Sequence, residues 1–300
     1  MRASEPNSAE RAADQAAGLR RLIAARDAGV LAISGADARS YAPLALELAA
    51  ACERDGRRVL LLDLTRGALA RELGRTMRYE LMHVIDAHRR LDEVVLAGPG
   101  EVPLLPAARG VRALAQAWRG RSRFADFVER AGGTPQLVLA VTPAEELETL
   151  ALLAAFATLV VIGPESSADL KPCYAALKRA HATGAEHAAG TAHAVAPRLV
   201  YAGGLAADAA RHAHARLIQT SRAFLGGEPD LVGRLVSPGT VAPGALAARR
   251  VAAAAGDLPC LGVAQLARAV ASWPLPQMVA DAAYRATPRG GERAANRVSP

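Results

Sequence analysis

Residues 31–67 read LAISGADARSYAPLALELAAACERDGRRVLLLDLTRG, and this stretch decides the fold. It begins with an apolar run that ends at Gly35, continues as an alanine- and leucine-rich segment up to Gly56, and closes with a second apolar run that ends at Asp63. Uniformly apolar runs of this length are typical of strands that are buried on both faces of a parallel sheet. The stretch therefore predicts a β-α-β unit. The predicted elements are a strand at 30–34, a helix at 41–55 and a strand at 58–63.

The same alternation of apolar strands and amphipathic helices continues to about residue 275. It predicts a doubly wound α/β fold, a mostly parallel sheet with helices on both faces, preceded by an N-terminal helix. We divide the chain into an N-terminal arm at 1–28, an α/β domain at 29–275 and a flexible tail at 276–300, with 184–197 as the best linker candidate. Further strands are predicted at 102–105, 137–141, 159–162, 198–201 and, as the last strand, 231–236. Further helices are predicted at 9–26, 79–89, 111–131, 144–155, up to 181, 206–225, 246–253 and 263–272.

The composition is that of a globular protein rather than of a disordered chain, with 51% hydrophobic and 22% charged residues. The formal charge of +7 comes almost entirely from arginine, and the arginines are scattered along the sequence. We therefore interpret them as solvated surface and expect no specific nucleic-acid partner. The three widely spaced cysteines predict reduced thiols, and the polar N-terminus lacks the apolar stretch of a signal peptide. Both features lead us to expect a cytoplasmic protein.

The loop after the first predicted strand stands where many α/β proteins bind phosphate. A P-loop has the pattern G-x-x-x-x-G-K-[ST], in which backbone N–H groups cradle the phosphates, the lysine neutralises charge and the hydroxyl holds Mg²⁺. Here Ser40 replaces the second glycine, Tyr41 the lysine and Ala42 the hydroxyl residue. The sequence therefore predicts a degenerate nucleotide loop. Its residues are Gly35, Ala36, Asp37, Ala38, Arg39, Ser40, Tyr41 and Ala42.

Two further features of this loop disfavour a phosphate. Asp37 adds negative charge, and the chain has no lysine before Lys171, so no shifted copy of the motif lies nearby. We expect Ser40 to cap the following helix and Pro43 to lie in its first turn, where proline is tolerated. The histidines between 181 and 193 recur every six residues, which is a poor spacing for metal ligands, and we predict no metal site.

Several segments of the chain resemble one protein family. Residues 14–22 read DQAAGLRRL and resemble the D-Q-A-x-x-L-R motif of the flagellar number regulator FlhG, also called FleN or YlxH, which is a MinD/ParA-like ATPase. Residues 33–63 can be aligned without gaps to the first strand, loop, helix and second strand of that family. Residues 98–110 and 166–178 are similar to its G-P-x-G segment and to its T-P-E-P-T segment. The resemblance covers about residues 10–275 and implies a P-loop NTPase fold of the MinD type.

The chain departs from this family at the positions that carry its chemistry. The resemblance places Ala36 at the family's deviant lysine and Thr65 at the second aspartate of its D-x-D segment. Ala140 stands where the family has the aspartate that helps to place Mg²⁺, while Asp63 is kept and is interpreted as a vestigial structural acceptor. Loss of these contacts removes the charge neutralisation that phosphoryl transfer requires. We therefore expect a pseudo-ATPase without a cofactor, and ATP with Mg²⁺ only if an atypical site around Arg39 and Asp63 functions.

The N-terminal helix supplies the positive indication of function. In the family, its motif is similar to the element that engages the signal-recognition-type flagellar GTPase FlhF, so the resemblance implies partner binding. The residues that would carry it are Asp14, Gln15, Leu19 and Arg20. Gly18 in mid-helix costs about 1 kcal/mol relative to alanine, and a glycine there permits the close approach of a partner. The alternative is that this amphipathic segment packs back on its own domain.

These observations predict a non-catalytic regulator of flagellar assembly, number or placement, which binds an FlhF-like GTPase or another flagellar regulator. One alternative is an atypical ATP-binding ATPase in flagellar regulation. Another is a scaffold paralogue for a transcriptional regulator, polysaccharide synthesis or chromosome partition. Residues 275–285 form a short amphipathic segment, so a peripheral position at the membrane or the cell pole is an alternative to a purely cytoplasmic one. The sequence leaves the oligomeric state open.

Overall fold

The computed structural model describes residues 29–116, 127–128, 131, 135–154, 157–164, 166, 168–188, 197–201, 207–235, 258–273 and 275. The N-terminal arm at 1–28, the helix predicted at 246–253 and the tail at 276–300 lie outside these residues. Within the described ranges, no helix is both long enough and apolar enough to cross a bilayer.

The described residues form nine strands in one sheet. They are β1 (Gly29–Gly35), β2 (Val59–Asp63), β3 (Leu96–Ala97), β4 (Pro103–Pro106), β5 (Leu137–Pro143), β6 (Thr158–Ile162), β7 (Arg198–Tyr201), β8 (Asp230–Leu235) and β9 (Cys260–Leu261). Their order across the sheet is β3-β4-β2-β5-β1-β6-β7-β8-β9. The β3–β4 pair is antiparallel, and the other pairs are parallel. This arrangement confirms the mostly parallel α/β sheet that the sequence predicts.

Helices cover both faces of the sheet. In the described part of the chain they are α1 (Ala38–Arg54), α2 (Ala68–Glu72), α3 (Leu81–Ile85), α4 (Ala108–Gln116), α5 (Leu147–Ala154), α6 (Leu170–Ala188), α7 (Ala207–Leu225) and α8 (Val263–Ser272). α1 and α8 pack together on one face, and α4 to α7 contribute buried side chains to the core on the other. The two faces explain why the strands read as continuous apolar runs rather than as alternating ones.

The central strand β1 shows how the sheet divides its side chains between two cores. Leu31 and Ile33 lie in the core beneath α1, whereas Val30 and Ala32 lie in the core beneath α4 to α7. All four residues are at most 1% exposed. The few aromatic residues leave leucine, valine and alanine to fill both cores, as the composition indicates.

Several observed elements differ from the predicted ones. The strand predicted at 231–236 is not the last, because β9 pairs in parallel with β8 at the edge of the sheet. The sequence does not predict β3 or β9, since two residues are too few to show a periodicity. The helix predicted at 79–89 is shorter, because α3 begins at Leu81 and ends at Ile85. α6 extends to Ala188 and therefore occupies the first residues of the linker candidate.

Candidate functional site

The carboxyl ends of β1, β2 and β5 lie side by side at one edge of the sheet. Gly35 pairs with Pro143, and Asp63 pairs with Val141. The N–H of Ala144 donates to the carbonyl of Gly35 at 3.0 Å and fastens the ends of β1 and β5 together. Ligands of parallel α/β sheets bind outside this edge. The degenerate loop that the sequence predicts therefore stands at the expected place for a binding site.

The loop itself is shorter than the sequence predicts. Only Ala36 and Asp37 separate β1 from α1, because the helix begins at Ala38 rather than at residue 41. Ser40 consequently lies inside the helix rather than at its cap, and Pro43 is the sixth helical residue, beyond the first turn. Because proline lacks an N–H, the helix misses one of its bonds at this position. These two expectations for Ser40 and Pro43 are wrong, and the long cradle of a P-loop is reduced to a two-residue turn.

The ring of Tyr41 covers the glycine at the end of β1. Tyr41 is 2% exposed, and its Cδ1 atom lies 2.7 Å from the place where a Cβ on Gly35 would stand. The Cβ of Ile162 lies 3.2 Å from the same place. Close packing of the ring therefore accounts for the glycine without any phosphate. The residue that aligns with the cationic lysine of a P-loop is here a buried aromatic side chain.

The surroundings of the Tyr41 hydroxyl are acidic. Burial raises the pKa of Tyr41 above its ordinary value, and the negative charges of Glu145, Asp63 and Asp37 raise it further. The phenol is therefore neutral at physiological pH. The three carboxylates that act on the Tyr41 hydroxyl are negative, which is the sign opposite to the one that attracts a phosphate.

A buried thiol lies near the two-residue turn. The thiol of Cys173 donates a hydrogen bond to the carbonyl of Ile162 at 3.1 Å. Burial raises the pKa of Cys173 to about 12, so the side chain stays a neutral thiol. In a P-loop, successive amides of this loop point at the phosphate. Here the backbone N–H of Ala36 acts on the Cys173 sulfur, where it lowers the pKa of the thiol by less than burial raises it.

Asp63 organises the turn between β2 and α2. Its Oδ1 atom accepts the N–H of Thr65 at 2.8 Å and also the hydroxyl of Thr65. The Thr65 hydroxyl oxygen in turn accepts the N–H of Ala68 at 2.9 Å, in the first turn of α2. Asp63 is 1% exposed, and its Oδ2 atom accepts no hydrogen bond from the described residues. These contacts give Asp63 and Thr65 a structural part in this turn.

The remaining predicted residues do not meet at this edge. Ala140 lies inside β5 on a level with Ala32 and Leu62 and is completely buried, three residues before the strand ends. Ala42 is also buried, in the core beneath α1, and Arg39 is the second residue of that helix. The four partner-binding residues predicted at positions 14, 15, 19 and 20 lie outside the described part of the chain. Within the described ranges, no group of histidine, cysteine and acidic residues is arranged to hold a metal ion.

A second crevice at the same edge is open. It follows the ends of β2 and β4 and the start of α5, and it encloses a volume of about 640 Å³. Its most prominent side chains are four arginines and two glutamates: Arg66, Arg78, Arg109, Arg112, Glu80 and Glu146. We call this crevice the arginine pocket. Arg66 has a φ of 59° and Gly67 a φ of 94°, so a left-handed turn after β2 carries Arg66 to the rim.

The two glutamates of the arginine pocket accept hydrogen bonds from the residues that line it. Glu146 accepts a hydrogen bond from Arg66 at 2.8 Å and a second one from Arg112, and this pairing raises the pKa of Arg112. Glu80 is 5% exposed and accepts the backbone N–H of Arg109 at 2.9 Å, at the start of α4. Burial raises the pKa of Glu80 above its ordinary value, although the nearby charge of Arg109 opposes the shift.

Sequence reasoning does not identify this pocket. Arg66 lies in the turn after β2, Arg78 lies between α2 and α3, and the other two arginines belong to α4. They are separated by up to 46 positions, from Arg66 to Arg112. The position of two of these arginines relative to the strands could have identified the pocket. Arg66 and Arg109 each stand three residues after the end of a strand, where parallel strands deliver side chains to the binding edge.

The fold and its binding edge define the class of the molecule as an α/β protein with a P-loop NTPase fold. No protein-family model and no curated protein matches the chain. Among solved structures, the chain is similar to the MinD cell division protein of Aquifex aeolicus, with a TM-score of 0.52 and 12% identity over 83% of this chain and 99% of that one. It is also similar to the MinC:MinD cell division protein complex of Aquifex aeolicus, with a TM-score of 0.51 and 13% identity over 83% of this chain and 98% of that one. The MinD-type fold is thereby confirmed, and the flagellar subfamily stays a prediction.

Proposed function

We propose that this chain is a non-catalytic regulator of flagellar assembly, number or placement that works by binding other proteins. The observation that carries the proposal is the contrast between an intact MinD-type fold and a blocked phosphate position. The fold is similar to that of MinD, yet the ring of Tyr41 packs over Gly35 where the phosphate cradle of this fold would be. A scaffold that keeps its shape without its phosphate contacts is suited to recognition rather than to phosphoryl transfer.

The charges at the end of β1 support the absence of ATP hydrolysis. A triphosphate needs cations to offset its charge, and the chain has no lysine before Lys171. The charges that act on the Tyr41 hydroxyl are the carboxylates of Glu145, Asp63 and Asp37. These would repel a nucleotide that approached without a compensating metal.

The N-terminal motif supports a protein partner. In the predicted helix, Gln15 and Leu19 are four residues apart and would share one face, which a partner could contact. The motif resembles the element through which FlhG engages the GTPase FlhF, so we propose an FlhF-like GTPase as that partner. The MinC:MinD complex supports the idea that a body of this fold can dock a second protein.

A binding assay with the FlhF-like GTPase encoded in the same genome tests this role. Full-length chain is compared with the Gln15→Ala/Arg20→Ala variant and with Arg26→Ala, which removes one charge from the same segment outside the motif. We expect the double variant to weaken binding by about tenfold or more, because a few central residues carry most of an interface's affinity, while the control changes it little. Equal binding by all three proteins would remove the N-terminal helix from the proposed function.

The second candidate function is an atypical ATPase, and one observation favours it. Asp63 keeps a buried carboxylate oxygen, Oδ2, that accepts no hydrogen bond from the described residues, and this oxygen lies at a strand end where the fold binds metals and phosphates. Titration calorimetry with ATP and Mg²⁺ separates the two candidates. The proposal expects no binding that depends on Mg²⁺, and a micromolar affinity that requires Mg²⁺ and is lost in Asp63→Asn would overturn the pseudo-ATPase assignment.

The identity of the neighbouring genes distinguishes the proposed flagellar role from the third possibility, a scaffold paralogue with a different target. Flagellar genes beside this one would support the proposed flagellar role. A neighbourhood of polysaccharide-synthesis or chromosome-partition genes, together with no binding to the FlhF-like GTPase, would favour the paralogue.

A further inference from the structure

We infer that the arginine pocket is a binding site for a small molecule that carries at least two phosphate or carboxylate groups. The inference is independent of the proposed function, because none of the observations behind it involves residues 14–22 or the Tyr41 ring. It rests on the position of the pocket, on the balance of its charges and on the geometry of its guanidinium groups.

The position of the pocket is one at which α/β folds bind ligands. Leu64 and Arg66 follow β2, Ala108 and Arg109 follow β4, and Glu146 follows β5. Three neighbouring parallel strands therefore deliver residues to one crevice outside their carboxyl ends. The volume of about 640 Å³ lies within the range of small-molecule sites, which runs from roughly 300 to 1,000 Å³.

The charges of the lining favour an anion. Four arginines face two glutamates, so the charged lining carries a formal charge of 4 − 2 = +2 with His83 neutral. Arginine binds carboxylate and phosphate groups bidentately, and each guanidinium has five N–H donors. The internal ion pairs leave most of these donors unused, because Arg66 and Arg112 each direct a single nitrogen, Nη2, at Glu146.

The Glu146 carboxylate shows that two of the guanidinium groups converge. Arg66 comes from the turn after β2 and Arg112 from α4, yet both reach the oxygens of this one side chain. The other two arginines are available for a ligand. Arg109 is 72% exposed in its side chain and approaches Glu80 only through Nε, at 3.5 Å, so its terminal nitrogens are left for a ligand. Arg78 is exposed and makes no hydrogen bond or ion pair with any described residue.

The pocket also offers a surface for the rest of such a ligand. Leu64, Met77 and Ala108 contribute apolar atoms to the lining between the charged groups. The amide of Arg109 is already satisfied by Glu80, so the arginine side chains rather than the start of α4 would hold the anion. A compact oligoanion with a short carbon or phosphate backbone fits this combination better than a single ion does.

Titration calorimetry on the full chain tests the inference with two probes, pyrophosphate and citrate, in the presence of a metal chelator. The chelator keeps any Mg²⁺-dependent nucleotide binding out of the measurement, and potassium chloride of equal ionic strength controls for screening. We expect saturable binding of one molecule per chain. The more tightly bound probe shows whether the site prefers phosphate or carboxylate groups.

Three variants locate the binding. Arg78→Gln/Arg109→Gln is expected to weaken it by about tenfold or more, because two charge-assisted contacts are lost. The single change Arg78→Gln, at an exposed side chain with no described partner, is expected to weaken it by about threefold without disturbing the fold. Arg75→Gln removes the same charge three positions away, outside the lining, and is expected to change the affinity by less than about twofold.

Three results would overturn the inference. They are no binding of either probe by the wild type, undiminished binding in the double variant, and an equal loss in Arg75→Gln. Thermal unfolding of each variant shows whether it is folded, and the single Arg78→Gln variant decides the matter if the double variant is not.

Discussion

Two crevices lie at the same edge of one sheet, and they differ in both shape and charge. The crevice after β1 is closed by the buried ring of Tyr41, with three carboxylates around its hydroxyl. The arginine pocket, beside β2 and β4, is open and carries a formal charge of +2 in its charged lining. In a P-loop protein the edge attracts anions at β1. In this molecule the cationic part of the same edge lies beside β2 and β4 instead. An intact fold therefore does not by itself determine where a ligand binds.

The difference arises from a few side chains. Tyr41 projects from α1 over Gly35 and replaces both the cation and the free space of a phosphate cradle. Arg66 projects from a left-handed turn and leaves space beside it. Substitutions in the closed crevice should therefore mainly change the stability of the protein. Substitutions in the arginine pocket should mainly change its affinity for a ligand.

The largest expected effect comes from emptying the closed crevice. Tyr41→Ala removes a fully buried aromatic ring and should lower the free energy of unfolding by about 3–5 kcal/mol, since the cavity cannot collapse against the strand ends. Tyr41→Phe keeps the ring and should cost less than about 1.5 kcal/mol. Urea unfolding of the three proteins measures both values. Equal stability of the alanine and phenylalanine variants would contradict the packing role of the ring.

A smaller effect is expected at the turn after β2, which separates the two crevices. Thr65→Val removes the hydroxyl that donates to Asp63 and accepts the N–H of Ala68. The loss of these two hydrogen bonds, with Asp63 left buried, should cost about 1–2 kcal/mol in urea unfolding. Thr65→Ser keeps the hydroxyl and serves as the control. If serine and valine are equally destabilising, the hydroxyl bonds do not stabilise the turn.

The closed crevice was largely accessible to sequence reasoning, because its parts are contiguous. Residues 35–42 can be compared directly with a P-loop, and the strand before them is uniformly apolar. What the sequence could not show was the direction of the side chains. Pro43 favours a helix that starts late, yet α1 begins at Ala38, since packing of its apolar face against the sheet outweighs one missing backbone bond.

The arginine pocket was inaccessible for the opposite reason. Its charged residues come from separate stretches between Arg66 and Glu146, and each arginine taken alone looks like ordinary solvated surface. Only the strand order, with β4, β2 and β5 adjacent, brings them together. The same reason explains the unpredicted β9, which is recognisable only by its pairing with β8.

A third prediction concerns a substitution that alters the charge of the arginine pocket. Glu146→Gln removes the carboxylate that Arg66 and Arg112 share, so the formal charge of the lining rises from +2 to +3 (4 − 1). We expect a loss of stability of no more than about 1 kcal/mol, because both arginines are partly exposed. We also expect about threefold tighter binding of pyrophosphate in calorimetry, since the two guanidinium groups then share a neutral amide oxygen instead of a carboxylate.

The matched control for that change is Glu148→Gln. Glu148 lies two residues away, accepts a hydrogen bond from Gln116 at 2.8 Å and does not line the pocket. Its substitution changes the net charge of the chain by the same amount. Its effect on pyrophosphate binding should be small. An equal gain in both variants would mean that the overall charge, and not the arginine pocket, attracts the anion.

The smallest expected effect is a change in how strongly the free energy of unfolding depends on pH. Burial raises the pKa of Glu80 above its ordinary value of 4.5, while the backbone N–H and the charge of Arg109 only partly oppose this. A group with a raised pKa in the folded state contributes stability that is fully present below its unfolded pKa and is lost as the pH rises through its folded pKa. Stability should therefore fall as the pH rises above about 4.5, and Glu80→Gln should remove this fall while keeping an acceptor for the N–H of Arg109. Urea unfolding midpoints between pH 4 and 7 measure how stability changes with pH, and the exposed Glu72→Gln serves as the control. If Glu80→Gln leaves this pH dependence unchanged, the buried carboxyl is equally protonated in the folded and the unfolded chain.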